Sequence, residues 1–285
     1  MPSTTERFVA TCWTSAGDAA PLRSPETSPV PLPERIEALA ATGWSGFGLV
    51  LDDLRAAQAS MGFAHLNDLV RSHGLTHVEV ELLARWWEPR KVWGADWELL
   101  LDAAVALGAP FVKIGSDVGD PPADLGFMVE PLRTLAEEAA ARGTRVALEP
   151  VAFTLVDTIP RGADLVREVG HPACGLIVDF WHVYRTGTTL EELRNALTAD
   201  QVFGVELNDA FDEPEGTLFE DTRDNRRYLG QGTQDVAGFI RTMRDIGFTG
   251  PWGVEILSAE HRATPVKEAL ATAMATTRPF FESDR

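Results

Sequence analysis

The chain has 285 residues, of which 45% are hydrophobic, a length and composition typical of one large α/β domain and not of a disordered segment. It carries 25 basic and 43 acidic residues, which give a formal net charge of −18. Because so acidic a chain repels phosphates, it is a poor candidate for a general nucleic-acid binder or for a protein of anionic membrane surfaces.

The N-terminal sequence MPSTTERFVA lacks the basic and apolar segments of a signal peptide. No apolar segment approaches the roughly 20 residues needed to span a membrane. We therefore expect a cytoplasmic protein that is not inserted in a membrane.

Short apolar segments alternate along the chain with longer segments that have apolar residues at helical spacing. Leu125–Arg142 and Val236–Ile246 are two of these predicted helices. Eight of the short segments are predicted to be strands. In chain order they are Arg7–Cys12, Gly46–Leu51, Thr76–Leu82, Phe111–Gly115, Arg145–Glu149, Gly175–Asp179, Val202–Asn208 and Trp252–Leu257.

Glycines stand where the helical patterns end, as C-terminal caps do. These are Gly43, Gly108, Gly143, Gly170 and Gly247. Eight strands that are each followed by a helix predict a single (β/α)8 TIM barrel over residues 1–285. A doubly wound open sheet is the alternative, but CWTSAGDAAP after the first strand lacks the GxGxxG turn of that fold.

Two predicted loops are longer than the others, and both follow the C-terminal end of a strand. They are Thr14–Pro31 after the first strand and Asp209–Gly232 after the seventh. Because substrate loops of such barrels lie at this end, both loops are expected at the mouth of the barrel.

Carboxylates stand near the C-terminal ends of the last four strands, where barrel enzymes carry their chemistry. They are Glu149, Asp179, Glu206 and Glu255, and His182 follows three residues after Asp179. Inward-pointing carboxylates are costly to bury without compensation. A divalent cation compensates them most simply, and a site of oxygen ligands suits Mn²⁺ or Mg²⁺. The sequence therefore predicts one metal ion held by these four acids.

The order of these residues resembles the xylose isomerase-like barrels, a superfamily of sugar isomerases and epimerases that also contains inosose dehydratase and endonuclease IV. The resemblance covers nearly the whole chain. The matching pieces are Glu149 in VALEP, Asp179 and His182 in DFWH, Gly230 and Gly232 followed by Asp235, and Glu255 in WGVE.

The resemblance implies roles for individual residues. Glu149 and Glu255 would each bind the metal and act as acid/base groups, and Asp179 would be a further ligand. His182 and Arg226 would contact the substrate. Packing or surface positions are the structural alternatives for both of these residues.

The seventh strand departs from the pattern, because the family usually has a histidine ligand in an HxKD segment. This chain has Glu206-Leu207-Asn208-Asp209 there. Three glutamates and one aspartate favour a hard divalent ion over zinc. Alternatively, one acid stays protonated, or metal binding has been lost or moved.

Four further residues are considered near the mouth of the barrel. Lys113 on the fourth strand is a candidate to offset the acidic charge or to stabilise an enolate oxygen of the substrate, with structural ion pairing as the alternative. Trp13 is a candidate platform for a sugar face, with packing as the alternative. Glu79 and Glu81 share one face of the third strand, and neither is assigned a role.

The leading functional hypothesis is a metal-dependent isomerase or epimerase that moves a proton on a small polyhydroxy substrate. The alternatives are a lyase or dehydratase that begins with the same deprotonation, and a sugar-binding barrel without catalysis. A nuclease like endonuclease IV is disfavoured by the six histidines of the chain and by its charge. The scarcity of basic residues near the mouth favours a neutral substrate, and a homo-oligomer is compatible with the sequence.

Overall fold

The computed structural model describes residues 6–282 and contains a closed barrel of eight parallel strands. The strands pair in sequence order, and β1 closes the barrel against β8 with Val9 opposite Gly253. The predicted single (β/α)8 barrel is thereby confirmed. The strands are β1 Phe8–Ala10, β2 Gly46–Val50, β3 His77–Leu83, β4 Val112–Ile114, β5 Val146–Leu148, β6 Cys174–Asp179, β7 Val202–Leu207 and β8 Trp252–Val254.

Helices surround the barrel and follow the strands along residues 6–282, and the 3-10 helix Ala199–Gln201 precedes β7. None of them has the length and apolar composition needed to cross a bilayer. The α-helices are α1 Cys12–Ser15, α2 Leu32–Ala41, α3 Leu51–Ser60, α4 Phe63–Ser72, α5 Gly94–Leu107, α6 Gly126–Ala141, α7 Ile159–Val169, α8 Phe180–Arg185, α9 Leu190–Ala196, α10 Leu218–Asp224, α11 Val236–Ile246, α12 Ala259–Ala263, α13 Val266–Thr277 and α14 Pro279–Glu282.

Several strands are shorter than the sequence predicts, because only the central residues of each apolar segment pair within the barrel. β8 ends at Val254, so Glu255 lies one residue beyond the strand and not within it. β1 ends at Ala10, and Cys12 already belongs to α1. The side chains that follow the last paired residues are therefore carried on the first residues of the mouth loops.

Helix ends agree more closely with the prediction. α11 has the predicted bounds, and the side chain of Asp235 accepts a hydrogen bond from the amide of Gly238 at its start. Gly108 and Gly170 end α5 and α7 in the left-handed conformation, which glycine adopts without steric cost.

An apolar layer fills the barrel beneath its mouth. Phe111, Ala147 and Ile177 form a buried cluster with Phe203. The first three stand two residues before Lys113, Glu149 and Asp179, and side chains two residues apart point to the same face of a strand. The same alternation therefore supplies the apolar support and directs the charged side chains towards the mouth.

Candidate metal centre

Four carboxylates meet inside the mouth of the barrel. Glu149, Asp179, Glu206 and Glu255 each offer an oxygen atom, and these atoms lie within 4.8 Å of one another. None of the four side chains exposes more than about a tenth of its surface. We call these four residues the acidic cluster. It brings together the four residues that the sequence predicts as metal ligands.

Lys113 bridges two members of the acidic cluster. Its ammonium nitrogen lies 2.5 Å from Oε1 of Glu206 and 3.5 Å from Oε2 of Glu149, and it is fully buried. A third carboxylate, Glu81, lies 3.0 Å away. Burial opposes the charge on Lys113, but the three glutamates raise its pKa well above its usual value, so the side chain is cationic.

Arg226 bridges the other two members. Its Nη1 atom donates hydrogen bonds to Oδ2 of Asp179 at 2.7 Å and to Oε2 of Glu255 at 2.8 Å. The opposite side of the guanidinium group donates to the hydroxyl of Thr222 on α10. Arg226 is buried, so the loop after β7 supplies a fixed positive charge to the acidic cluster.

Asp179 is the most strongly held carboxylate of the cluster. Its Oδ1 atom accepts hydrogen bonds from the amide of Trp181 at 2.7 Å and from Nδ2 of Asn208 at 3.0 Å. Burial alone would raise the pKa of Asp179, but Arg226, His182 and these donors lower it well below its usual range. Asp179 is therefore ionised at neutral pH.

The three glutamates of the cluster have raised pKa values, in contrast to Asp179. Burial raises the pKa of Glu149 to about 7, against the effect of Lys113 and together with the charge of Glu255. Burial likewise raises the pKa values of Glu206 and Glu255 well above their usual range. The metal-free cluster consequently holds protons more readily than free carboxylates do.

His182 lies beside the cluster on α8, directly after β6. Its Nε2 atom is 3.8 Å from Oε1 of Glu149, and its Nδ1 atom accepts a hydrogen bond from the amide of Ala152 at 3.4 Å. Because a neutral imidazole carries one proton, this contact leaves the hydrogen on Nε2. Burial lowers the pKa of His182 to about 3, so the ring is neutral at physiological pH.

A cavity of about 280 Å³ opens above the acidic cluster. Glu149, Glu255, His182 and Arg226 contribute to its inner wall, and Trp13 lines it from the loop after β1. Seven of the eight predicted site residues therefore lie in the acidic cluster or in the cavity wall. Lys113 lies behind the cluster and bonds to it.

Sequence reasoning assigned no role to Glu81, which the structure brings into the site. Glu81 is buried, lines the cavity and pairs with Lys113, and its Oε1 atom has no hydrogen-bond partner. The sequence feature that could have indicated this position is the alternation of Glu79 and Glu81, which places both side chains on one face of the third strand. Glu79 bonds instead to Nε2 of His77 at 3.0 Å.

The Gly230–Gln231–Gly232 turn is fixed by Asp209, which follows β7. The Oδ2 atom of Asp209 accepts hydrogen bonds from the amides of Gly230 at 2.9 Å and Gly232 at 3.0 Å. A Cβ atom on Gly232 would lie 2.3 Å from Oδ1 of Asp209, so a larger residue would displace the turn. This motif thus shapes the loop that carries Arg226.

The donor set suits a hard divalent cation. The Oε2 atom of Glu206 is buried without a hydrogen-bond partner, while its Oε1 atom faces Lys113. Such an unpaired oxygen is costly unless a ligand satisfies it. Carboxylate oxygens that converge in this way match the preferences of Mn²⁺ and Mg²⁺.

The closed barrel and the acidic cluster at its mouth define a class of barrels with a candidate site for one divalent ion. The xylose isomerase-like TIM barrel model matches residues 36–276, and the chain belongs to this family.

Two curated relatives lie in different reaction classes. A 3-dehydroshikimate dehydratase from Pseudomonas putida is 30% identical over 253 residues, which cover 84% of this chain and 38% of the dehydratase. An inosose isomerase from Bacillus licheniformis is 31% identical over 151 residues, which cover 52% of this chain and 53% of the isomerase. The chain thus spans about half or less of the length of these relatives.

Solved structures show the same fold. A xylose isomerase-like TIM barrel/4-hydroxyphenylpyruvate dioxygenase fusion protein is 25% identical, with a TM-score of 0.83 over 99% of this chain and 44% of that chain. An L-ribulose 3-epimerase is 18% identical, with a TM-score of 0.73 over 98% of this chain and 95% of that chain. The IOLI protein, whose structure contains a zinc atom, is 19% identical, with a TM-score of 0.82 over 97% of this chain and 98% of that chain.

Proposed function

We propose that the chain is a metal-dependent isomerase or epimerase that removes the proton α to the carbonyl group of a neutral polyhydroxy ketone or aldehyde. The observation that carries this proposal is the acidic cluster, whose four carboxylates are bridged in pairs by Lys113 and Arg226. Buried carboxylates in this number serve stability poorly, so their arrangement favours a function.

The four residues of the acidic cluster would hold one Mn²⁺ or Mg²⁺ ion. When bound, such an ion polarises substrate oxygens and makes the α C–H bond more acidic. Lys113 and Arg226 orient one oxygen of each carboxylate. The unpaired Oε2 atom of Glu206 supports this assignment.

Glu149 and Glu255 are the groups that we assign to proton transfer. Both line the cavity, and a carboxylate there can accept a proton from a substrate carbon. One glutamate takes the proton from the α carbon as the electrons move to the carbonyl oxygen. In an epimerase the other glutamate returns a proton to the opposite face of the same carbon. In an isomerase it returns a proton to the former carbonyl carbon, while the proton of the hydroxyl on the first carbon moves to the former carbonyl oxygen and the new carbonyl group forms on the first carbon.

His182 would act as a hydrogen-bond donor to the substrate. Its ring is neutral, and its Nε2–H group lies beside Glu149 at the inner wall of the cavity. A neutral imidazole can donate to a hydroxyl or carbonyl oxygen without adding charge to the site.

The charges that line the cavity favour a neutral substrate. Among the described residues of its wall, Arg226 is the only cation, and it is already bonded to Asp179, Glu255 and Thr222. An anionic group would face carboxylates without a free positive partner. A phosphorylated sugar is therefore disfavoured.

A dehydratase is the second candidate, and the 30% identity to a dehydratase over 84% of this chain favours it. The first step would be the same. After removal of the α proton, the hydroxyl group on the β carbon would take up a proton and leave as water, with formation of a carbon–carbon double bond.

Proton exchange in D₂O tests the proposal. Protein loaded with Mn²⁺ is incubated with 2-keto-myo-inositol, and NMR follows the substrate. We expect deuterium at the α carbon, with a rate reduced by about 10²–10⁴-fold in Glu149→Gln. The exposed Glu137 on α6 provides the control, because it lies outside the acidic cluster and outside the cavity wall, and Glu137→Gln makes the same chemical change.

The products separate the candidates. An isomer of unchanged mass, apart from deuterium, supports the isomerase, whereas loss of water supports the dehydratase. Full exchange by Glu149→Gln would contradict the proton-transfer role. Absence of both exchange and Mn²⁺-induced thermal stabilisation would favour a barrel without catalysis.

A further inference from the structure

Apolar side chains form the outer part of the cavity above the acidic cluster. Leu82, Val50 and Leu257 lie in its wall, and Leu22 and Val118 also line it. The last two are 72% and 64% exposed, which places them at the rim. Exposed aliphatic side chains at the entrance of a binding site usually contact a ligand or a partner.

An aromatic row leads from the candidate site towards α10. The rings of His182 and Phe153 lie 6.2 Å apart at 70°, and those of Phe153 and Phe219 lie 5.9 Å apart at 86°. All three residues line the cavity. Edge-to-face rows of this kind can accept a further planar ring.

The volume of the cavity is sufficient for one polyol ring. A cavity of about 150 Å³ binds benzene, and this cavity of about 280 Å³ has nearly twice that space. A six-membered polyol has about twice as many heavy atoms as benzene, so such a ring at the acidic cluster occupies much of the volume. A substituent on that ring would extend to the rim, where Leu22 and Val118 are exposed.

The cations at the outer part of the cavity are already paired. Arg223 lies 5.3 Å from the centroid of the Phe219 ring and forms an ion pair with Asp224 at 2.6 Å. Glu26 and Asp117 lie in its wall, and Arg226 is the only cation among the described wall residues. Arg226 is held by the acidic cluster through Asp179 and Glu255. An uncharged group therefore fits this part of the cavity better than a carboxylate or a phosphate.

We propose that the substrate is a neutral polyol ketone whose ring carries an uncharged aromatic substituent. The polyol ring faces the acidic cluster, and the substituent packs against the outer wall of the cavity, which contains Phe153, Phe219 and the rim residues Leu22 and Val118. This inference rests on the proposed function, because that function defines which ring faces the carboxylates.

Paired glucosides test this preference. Isothermal titration of the Mn²⁺-loaded protein compares phenyl and methyl β-D-glucopyranoside, which share the polyol ring. We expect the phenyl compound to bind at least about tenfold more tightly, which corresponds to about 1.4 kcal/mol. Equal affinities, or binding of neither compound at the solubility limit, would overturn the proposal. Tighter binding of 4-carboxyphenyl β-D-glucopyranoside than of the phenyl compound would also overturn it.

Substitutions at the rim test whether Leu22 and Val118 contact the aromatic substituent. Leu22 has φ of 58°, so Leu22→Asn keeps a residue that tolerates this conformation. Together with Val118→Thr, it should reduce the phenyl-to-methyl preference severalfold. Val105→Thr is the matched control, since Val105 is 50% exposed on α5 and does not line the cavity, and it should keep the preference.

Three further outcomes separate this inference from its alternatives. If the rim variants dissociate an oligomer in sedimentation velocity and leave the phenyl-to-methyl ratio unchanged, the rim is a contact between subunits and the inference is wrong. If Mn²⁺ binding and α-proton exchange on 2-keto-myo-inositol persist without an aromatic preference, the inference fails and the proposed function stands. If the wild-type protein shows neither Mn²⁺ binding nor α-proton exchange, both the proposed function and this inference are wrong.

Discussion

The stability of the metal-free protein should fall as the pH rises through neutrality, and Glu149 allows the size of the effect to be calculated. Its pKa is raised from 4.5 to about 7 by burial. A carboxyl group with a raised pKa in the folded state stabilises the fold fully below the unfolded pKa, and this stabilisation is lost as the pH rises through the folded pKa. One pKa unit corresponds to about 1.36 kcal/mol, so Glu149 alone should lower the free energy of unfolding by about 3 kcal/mol between pH 4.5 and pH 8.

Urea denaturation of chelator-treated protein at a series of pH values measures this change. Glu206 and Glu255 also have raised pKa values and act in the same direction, whereas the lowered pKa of His182 makes the stability rise with pH up to the unfolded pKa of about 6.5. The contribution of Glu149 is therefore measured as the difference between the wild type and Glu149→Gln. Glu149→Gln has no ionisable group at this position, and its decrease should be about 3 kcal/mol smaller than that of the wild type. The exposed Glu137→Gln variant should retain the wild-type decrease.

Saturating Mn²⁺ should reverse the trend, because metal ligands must be deprotonated and the affinity for the ion therefore rises with pH. Above the unfolded pKa of histidine the glutamates alone remain, so a metal-free protein whose stability is constant or rises from about pH 7 to pH 8 would refute the reasoning. An unchanged slope in Glu149→Gln would show that the decrease originates from other groups.

Three further changes probe the site and its support. Lys113→Met removes the partner of three buried carboxylates and should lower the free energy of unfolding at pH 7 by about 3–5 kcal/mol in urea titrations; a change below about 1 kcal/mol would contradict the role of this ion pair. Glu206→His replaces an oxygen ligand by nitrogen and should shift the metal preference from Mn²⁺ towards Zn²⁺ in competition experiments, whereas an unchanged preference would show that residue 206 is not a ligand. Gly48→Ala places a Cβ atom 2.5 Å from the amide nitrogen of Cys12 and should lower the free energy of unfolding by about 1–3 kcal/mol in the same titrations. Gly119→Ala is the control, because its Cβ atom would lie 3.3 Å from the nearest atom, which belongs to a side chain, and it should have little effect. Equal losses of stability in the two variants would contradict the steric argument.

The fold was predictable because local patterns and global architecture agree. Apolar segments of strand length alternate with helical spacing, and glycines end α5 and α7 where predicted. Glu149, Asp179, Glu206 and Glu255 could be grouped for the same reason, since parallel strands in a barrel end at one rim. Their roles in binding a metal and moving protons remain predictions.

The partners of these residues could not be derived from the strand pattern. Arg226 reaches Asp179 because the loop after β7 folds back through α10, and no periodicity specifies that path. Glu81 lies within a register shift between β3 and β4, between Val80 and Leu83, and this irregularity interrupts the alternation that would predict the direction of its side chain. Its contact with Lys113 therefore became evident only from the closed barrel.

The charges of the centre explain how Glu206 can stand where the family usually has a histidine. The four carboxylates of the acidic cluster carry four negative charges when ionised, and Lys113 and Arg226 compensate two of them. Two negative charges therefore remain, and one divalent cation would neutralise them. A neutral histidine beside Lys113 would leave the centre with one negative charge fewer, whereas Glu206 paired with Lys113 at 2.5 Å would contribute an oxygen ligand while it offsets the charge of the lysine. Glu81 adds a negative charge behind Lys113, so the centre keeps an excess that attracts cations and disfavours anionic substrates.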